Sequence, residues 1–122
     1  MVALSLPYPV STNRIWRHSK GRTHSSPEYA KWRDEALGMY QEQKRELGTP
    51  VVGHFTYHIV LNEKKRHGNA DGDNRTKCVL DFLEKVGLIE NDKYADGGSW
   101  SWGPLDETQG CFVQVWQKGV RA

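Results

Sequence analysis

Residues 51–61, VVGHFTYHIVL, alternate in character and decide what kind of fold the chain can adopt. Val51, Phe55, Tyr57, Ile59 and Leu61 fall on one side; His54, Thr56 and His58 fall on the other. A period of two over this length is the pattern of a half-buried strand, apolar toward a core and polar toward water. His54 and His58 share the polar side, which reads as a pair of surface histidines or, alternatively, as two metal ligands.

On the N-terminal side, Gly48 and Pro50 separate this strand from a helix. Ser25 or Ser26 caps it, Pro27 fits its first turn, and Glu28 is placed for a capping box. Tyr29, Trp32, Ala36, Met39 or Tyr40, and Leu47 recur at helical spacing, with Lys31, Arg33, Asp34, Glu35, Glu42 and Lys44 opposite. Before it, residues 2–6, VALSL, read as a short strand ended by Pro7 and Pro9. Residues 10–26 read as a polar, basic loop, long enough to be functional or mobile.

On the C-terminal side, a polar loop over 62–73 leads to a second helix over 74–86, capped by Asp73 or Asn74 and stopped by Gly87. Val79, Phe82, Leu83 and Val86 form its apolar stripe; Asp81, Glu84 and Lys85 lie on its polar side. Residues 93–102 and 110–117 are expected to pair as a terminal hairpin, with Gly97-Gly98 weakening the first strand. The order β-α-β-α-β-β predicts an α/β (α+β) fold: a single mixed β-sheet with two helices packed on one face.

The 122 residues are expected to form a single domain, 1–122, that buries about two-thirds of its unfolded surface without a disulfide or metal staple. No apolar run is long enough to span a membrane, and MVALSLPYPV lacks the pattern of a signal peptide. Cys78 and Cys111 stand apart and read as reduced thiols, so the expected location is cytoplasmic.

The net charge of +2 says little, but its distribution is uneven. Arg14, Arg17, Lys20 and Arg22 crowd an acid-free N-terminus, and Lys64, Lys65, Arg66 and His67 form a second basic cluster. The acids gather at Asp71, Asp73, Asp81, Glu84, Glu90, Asp92 and Asp96. Such blocks read either as a polyanion-binding face beside an acidic pocket or as two solvated loops.

Within the acidic block, Asp71-Gly72-Asp73-Asn74-Arg75-Thr76-Lys77 carries the chemistry. If the segment is extended, Asp71 and Asp73 project to the same side. Two such carboxylates need a countercharge, either basic side chains or a cation, and oxygen-only ligands suit Mg²⁺ or Mn²⁺. A cap or solvated turn is the plainer alternative. An EF-hand is excluded, because counting from Asp71 puts Thr76 where Gly is required and Phe82 where Glu is required. Lys77 follows Asp73 by one helical turn and precedes Asp81 by another. That spacing gives either a surface ladder or a cation facing a phosphate or water. Spacing leaves open whether Asp92 reaches Asp71.

With these residues in place, the chain resembles the RusA family of Holliday junction resolvases of bacteria and their phages and prophages. The resemblance rests on Asp71-Gly72-Asp73-Asn74-Arg75-Thr76-Lys77, Leu80-Asp81-Phe82-Leu83 and Asn91-Asp92 in that order, with Pro9-Val10-Ser11-Thr12-Asn13-Arg14 as an opening. It implies a homodimeric, Mg²⁺-dependent endodeoxyribonuclease (Mn²⁺ substituting) that cuts two strands of branched DNA, a four-way junction. No membrane and no small-molecule cofactor are expected. Asp71, Asp73 and Asp92 would hold the metal, with Lys77 assisting at the scissile phosphate. Asn13, Arg14, Arg17, Lys20, Arg22, Lys64, Lys65 and Arg66 are the expected DNA contacts. Trp16 is open to two roles, a DNA contact or an anchor for its loop. Ala70 stands where members often carry a basic residue, and Gly97-Gly98, Trp100 and Trp102 lie outside the shared pattern. Two alternatives stand beside the resolvase: a nuclease of the same fold acting on flaps or other branched DNA, and a non-catalytic DNA-binding module.

Overall fold

The computed structural model describes residues 1–11, 16–19, 22–66 and 72–118, with backbone alone described for 16–19 and 22–25. Strands β1 (Val2–Leu6), β4 (Phe55–Asn62), β5 (Ala95–Gly103) and β6 (Cys111–Gln117) make one mixed sheet in the order β1-β6-β4-β5. Helices α1 (Pro27–Gln43) and α2 (Thr76–Lys85) contribute to the same core cluster as the sheet's buried face. This is the α+β architecture expected from the sequence.

The core follows the alternation. Val2, Leu4 and Leu6 of β1, Phe55, Ile59 and Leu61 of β4, and Cys111, Val113 and Val115 of β6 are all buried. Tyr29, Trp32 and Ala36 of α1 meet Val79, Phe82 and Leu83 of α2 in that cluster. Phe82 joins the two helices: its ring stands edge-on to Trp32 at 5.6 Å and to Tyr40 at 6.3 Å. Both cysteines are buried free thiols, and burial pushes Cys78 up to about 12.

Three sequence expectations need correction. The stretch read as a loop over 10–26 contains a two-stranded antiparallel ribbon, β2 (Trp16–Ser19) and β3 (Arg22–Ser25), pairing Arg17 with His24 and Ser19 with Arg22. Only two residues separate these strands, and a Gly among them (Lys20-Gly21) is a hairpin signal that the high polarity obscured. The expected terminal hairpin does not form. β5 pairs parallel with β4, while β6 lies antiparallel between β1 and β4. The apolar β6 suits an interior position, and the Gly- and Ser-rich β5 suits an edge. Finally, Ser26, one of the two expected caps, caps α1 with its hydroxyl accepting from the Tyr29 amide at 3.1 Å, but the expected capping box does not follow. Glu28 is then one residue short of the capping-box position.

Gly97-Gly98 does not break β5. The ladder shifts register between Phe55 and Thr56, so that Asp96 is the extra residue of a bulge. At Gly98 a side chain would overlap the Tyr57 ring, which lies across that position from β4. The two histidines of β4 have separate partners. His54 Nδ1 sits 2.8 Å from Asp96, while His58 contacts Ser99 at 2.7 Å and Ser101 at 3.0 Å.

Because Phe82 is 1% exposed and packs from α2 against two aromatic rings of α1, Phe82→Ala is expected to lower unfolding free energy by about 3–5 kcal/mol, measured by urea titration.

Candidate active site

The expected acidic residues occupy the connection between β4 and β5. Gly72 opens it in an ordinary right-handed backbone conformation (φ −67°), and Asp73–Arg75 form one 3-10 turn before α2. The segment is therefore not extended at Gly72 and Asp73, and strand-type alternation does not govern where Asp73 projects. Nor does Asp73 or Asn74 cap α2; Arg75 occupies the cap position without a side-chain bond. Asp71, like Asn13, Arg14 and Lys20, lies outside the described residues.

Asp73 is exposed at the start of that turn. The Thr76 hydroxyl donates to its carbonyl at 3.1 Å. Tyr57 reaches the same place from β4: burial raises its phenol, the neighbouring Thr76 hydroxyl opposes the rise, and the Asp73 charge adds to it. Tyr57 was legible in the sequence only as a residue of the apolar face.

Asp92 returns to α2 from the other end of the connection. Helix α2 stops at Gly87, whose φ of +81° favours glycine. The chain then turns at Leu88 and Ile89, both buried. Asn91 caps the 3-10 turn Asp92–Tyr94, its Oδ1 accepting from the Lys93 amide at 2.9 Å. The Asp92 amide donates to Glu84 Oε1 at 3.0 Å, an anchor the sequence did not suggest. Its carboxylate accepts from Lys77 Nζ at 2.5 Å.

Among the described residues Lys77 thus has two anionic partners, Asp92 and, at 3.0 Å, Asp81 one turn along α2. Half of the expected ladder forms in this way. The hydrogen bond that Lys77 donates to Asp92 is the main cause of its raised pKa, opposed by partial desolvation and reinforced by Asp81. Lys77 is therefore a fixed ammonium across the working pH range, a charge and not a base.

Among the basic residues, Lys64, Lys65 and Arg66 are exposed on and just after the 3-10 turn Glu63–Lys65. Buried Asn62 fixes that turn: Oδ1 accepts from the Lys64 amide at 3.0 Å, and Nδ2 donates to the Asp106 and Gln109 carbonyls at 3.1 and 2.8 Å. The Arg66 guanidinium lies 5.5 Å over Trp102. Arg17 and Arg22 fall on β2 and β3, and their side chains, like that of Trp16, lie outside the described residues. Among the described residues, no three His, Cys, Asp or Glu side chains cluster as a metal site.

A small α+β sheet protein with carboxylates and a lysine gathered in one inter-strand connection, and basic residues beside it, has the make-up of a phosphodiester-processing enzyme. Comparison with known proteins gives that class a family. The family model described as endodeoxyribonuclease RusA matches residues 7–105, which include the whole β4–β5 connection. The chain is 30% identical over 90 residues to the crossover junction endodeoxyribonuclease RusA of Escherichia coli strain K12, covering 74% of this chain and 72% of that protein. It is also 30% identical over 89 residues to the enzyme of the same name from Enterobacteria phage 82, covering 73% and 72%. The chain belongs to the RusA family of endodeoxyribonucleases.

Since folding raises the Lys77 pKa, its contribution to stability is fully present below the ordinary lysine value and fades only as pH rises through the elevated one. The pairs are partly exposed, so solvent screening keeps their worth small. At pH 7, Lys77→Met is expected to lower unfolding free energy by no more than about 1 kcal/mol in a urea titration.

Proposed function

We propose that the chain is a structure-specific endodeoxyribonuclease that resolves four-way DNA junctions by paired phosphodiester hydrolysis, using Mg²⁺ or, as a substitute, Mn²⁺. The observation that carries this reading is the contact between Lys77 and Asp92. It brings the acid that precedes β5 onto the helix that follows Asp71 and Asp73. The crossover junction endodeoxyribonuclease activity for which the RusA relatives are named supports the substrate.

The donor set fits a hard divalent cation. Asp71, Asp73 and Asp92 offer oxygen ligands alone, and three carboxylates leave coordination positions for water and substrate. Asp92 already pairs with a positive charge, the Lys77 ammonium. When bound, a divalent cation polarises a phosphoryl oxygen, lowers the pKa of a water and stabilises the departing oxygen.

The chain's own residues do the rest. Lys77, permanently charged, exchanges one of its carboxylate partners for a non-bridging phosphate oxygen and helps neutralise the transition state. Asp81, one turn along α2, would keep Lys77 on this face of the helix if Asp92 served as a metal ligand. Glu84, through the Asp92 amide, keeps that residue at the site during the exchange. Lys64, Lys65 and Arg66, with Asn13, Arg14, Arg17, Lys20 and Arg22, contact the phosphate backbone, so affinity falls steeply with salt. Two related cuts call for two sites related by a two-fold axis, which a homodimer supplies. A DNA-processing role of this kind belongs in the cytoplasm.

The test is cleavage of a synthetic mobile junction with Mg²⁺, set against linear duplex and a flap. Asp71→Asn, Asp73→Asn and Asp92→Asn are each expected to reduce cleavage by at least about a hundredfold with junction binding retained. Unchanged cleavage would remove the acidic site from catalysis. Preferential cutting of the flap would move the assignment to a nuclease for other branched DNA, and binding without cutting by the wild type would leave only a DNA-binding module.

A further inference from the structure

Gly72, between the two acids of the motif, is buried and does not need the conformational freedom of glycine at φ −67°. What it needs is the absence of a side chain. A Cβ there would lie 2.5 Å from Cε3 and Cζ3 of Trp100 and 2.8 Å from Cδ2. The backbone of the acidic turn therefore rests directly on the Trp100 indole.

That indole has little freedom to yield. Trp102 stands edge-on to it at 5.9 Å and is itself stacked with Tyr8 at 6.4 Å, while Arg66 covers the Trp102 ring. The far end of the acidic turn is fastened to the same row. Arg75 lies 4.7 Å over Tyr8 and donates from Nη1 to the Pro9 carbonyl at 2.7 Å. The Arg75 amide also donates to the Gly72 carbonyl at 3.0 Å, closing the turn. Gly72 on Trp100 and Arg75 on Tyr8 are thus two piers, and Asp73 and Asn74 form the exposed span between them.

We propose that Trp100 is a positioning residue for the metal site: its indole is the seat on which Gly72 sets the height and direction of the Asp73 carboxylate. The row Trp100–Trp102–Tyr8 keeps that seat rigid. Trp100 touches neither metal nor DNA in this role. It acts through Gly72, as groups behind a ligand commonly do. The inference rests on the proposed metal-dependent function and adds the device that holds one ligand in place.

The experiment measures binding of Mn²⁺ alone to the full-length protein, read as loss of free Mn²⁺ by electron paramagnetic resonance, with no DNA present. Gly72→Ala is expected to weaken Mn²⁺ binding by about ten- to a hundredfold. Junction affinity in EDTA should stay within about twofold, because phosphate contacts elsewhere supply it. Trp100→Ala should also weaken Mn²⁺ binding. In that background the added methyl of Gly72→Ala meets no ring and should cost little more, so the two effects are strongly non-additive.

Wild-type Mn²⁺ affinity in Gly72→Ala, or effects that simply add in the double variant, would overturn the proposal. Should Gly72→Ala not fold by circular dichroism, Trp100→Phe takes its place, with intermediate Mn²⁺ affinity expected and wild-type affinity overturning it. A different result separates the underlying reading. If the wild type binds no Mn²⁺ and Asp73→Asn cleaves normally, the metal-dependent function fails, and this inference with it.

Discussion

Strands β4 and β5 run parallel, so the chain that leaves the sheet at Asn62 must travel back along it before it can re-enter at Ala95. A parallel pair cannot be joined by a tight turn; it requires a crossover of a dozen residues or more. The proposed metal ligands and Lys77 lie in that crossover. Helix α2 carries Lys77 and Asp81 back across the sheet, and the turn after Gly87 delivers Asp92 beside them. The pairing direction of two strands therefore converts residues fifteen positions apart, Lys77 and Asp92, into neighbours.

This explains which features were legible in the sequence and which were not. The helix stripe Val79, Phe82, Leu83 and the alternation over 51–61 are local periodicities, and both elements form, although the strand begins at Phe55 rather than Val51 and the helix covers Thr76–Lys85 rather than 74–86. The partner of β5 is not local information. Two strands of ordinary length near the C-terminus suggest a hairpin by proximity alone, yet β6, apolar on both faces, enters the interior of the sheet and leaves the Gly-rich strand at the edge. The acidic motif was visible as composition, but its geometry was not. Alternation assumes an extended chain, whereas Gly72 and Asp73 adopt a helical turn.

The glycines show the same limit. Gly72 and Gly98 resemble residues kept for backbone freedom, and neither is: Gly72 opens a turn at an ordinary φ of −67°, and Gly98 lies inside β5. Both mark where an aromatic ring lies against bare backbone, Trp100 at Gly72 and Tyr57 at Gly98. No single-sequence signal distinguishes a glycine chosen for its φ from one chosen for its missing side chain. The distinction appears only with the backbone angle and the neighbouring ring together. Trp100 and Trp102, outside the shared motif, acquire a role by the same route.

Magnitudes then decide what holds the charged groups where they are. Burying Val79, Phe82 and Leu83 contributes about 1.5–3 kcal/mol each, whereas a partly exposed ion pair contributes about 0–1 kcal/mol. The contacts of Lys77 with Asp81 and Asp92 therefore do not fix the position of α2; the apolar stripe does, and the ion pairs form because the helix is already there. An enzyme that had to break a structural salt bridge at each turnover would put its fold at risk. In the mechanism proposed above, Lys77 would leave one carboxylate for a phosphate oxygen at small cost, since the second carboxylate remains one helical turn away and the core beneath is unaffected. Weak pairing on a strongly packed helix is what a site that must exchange partners requires.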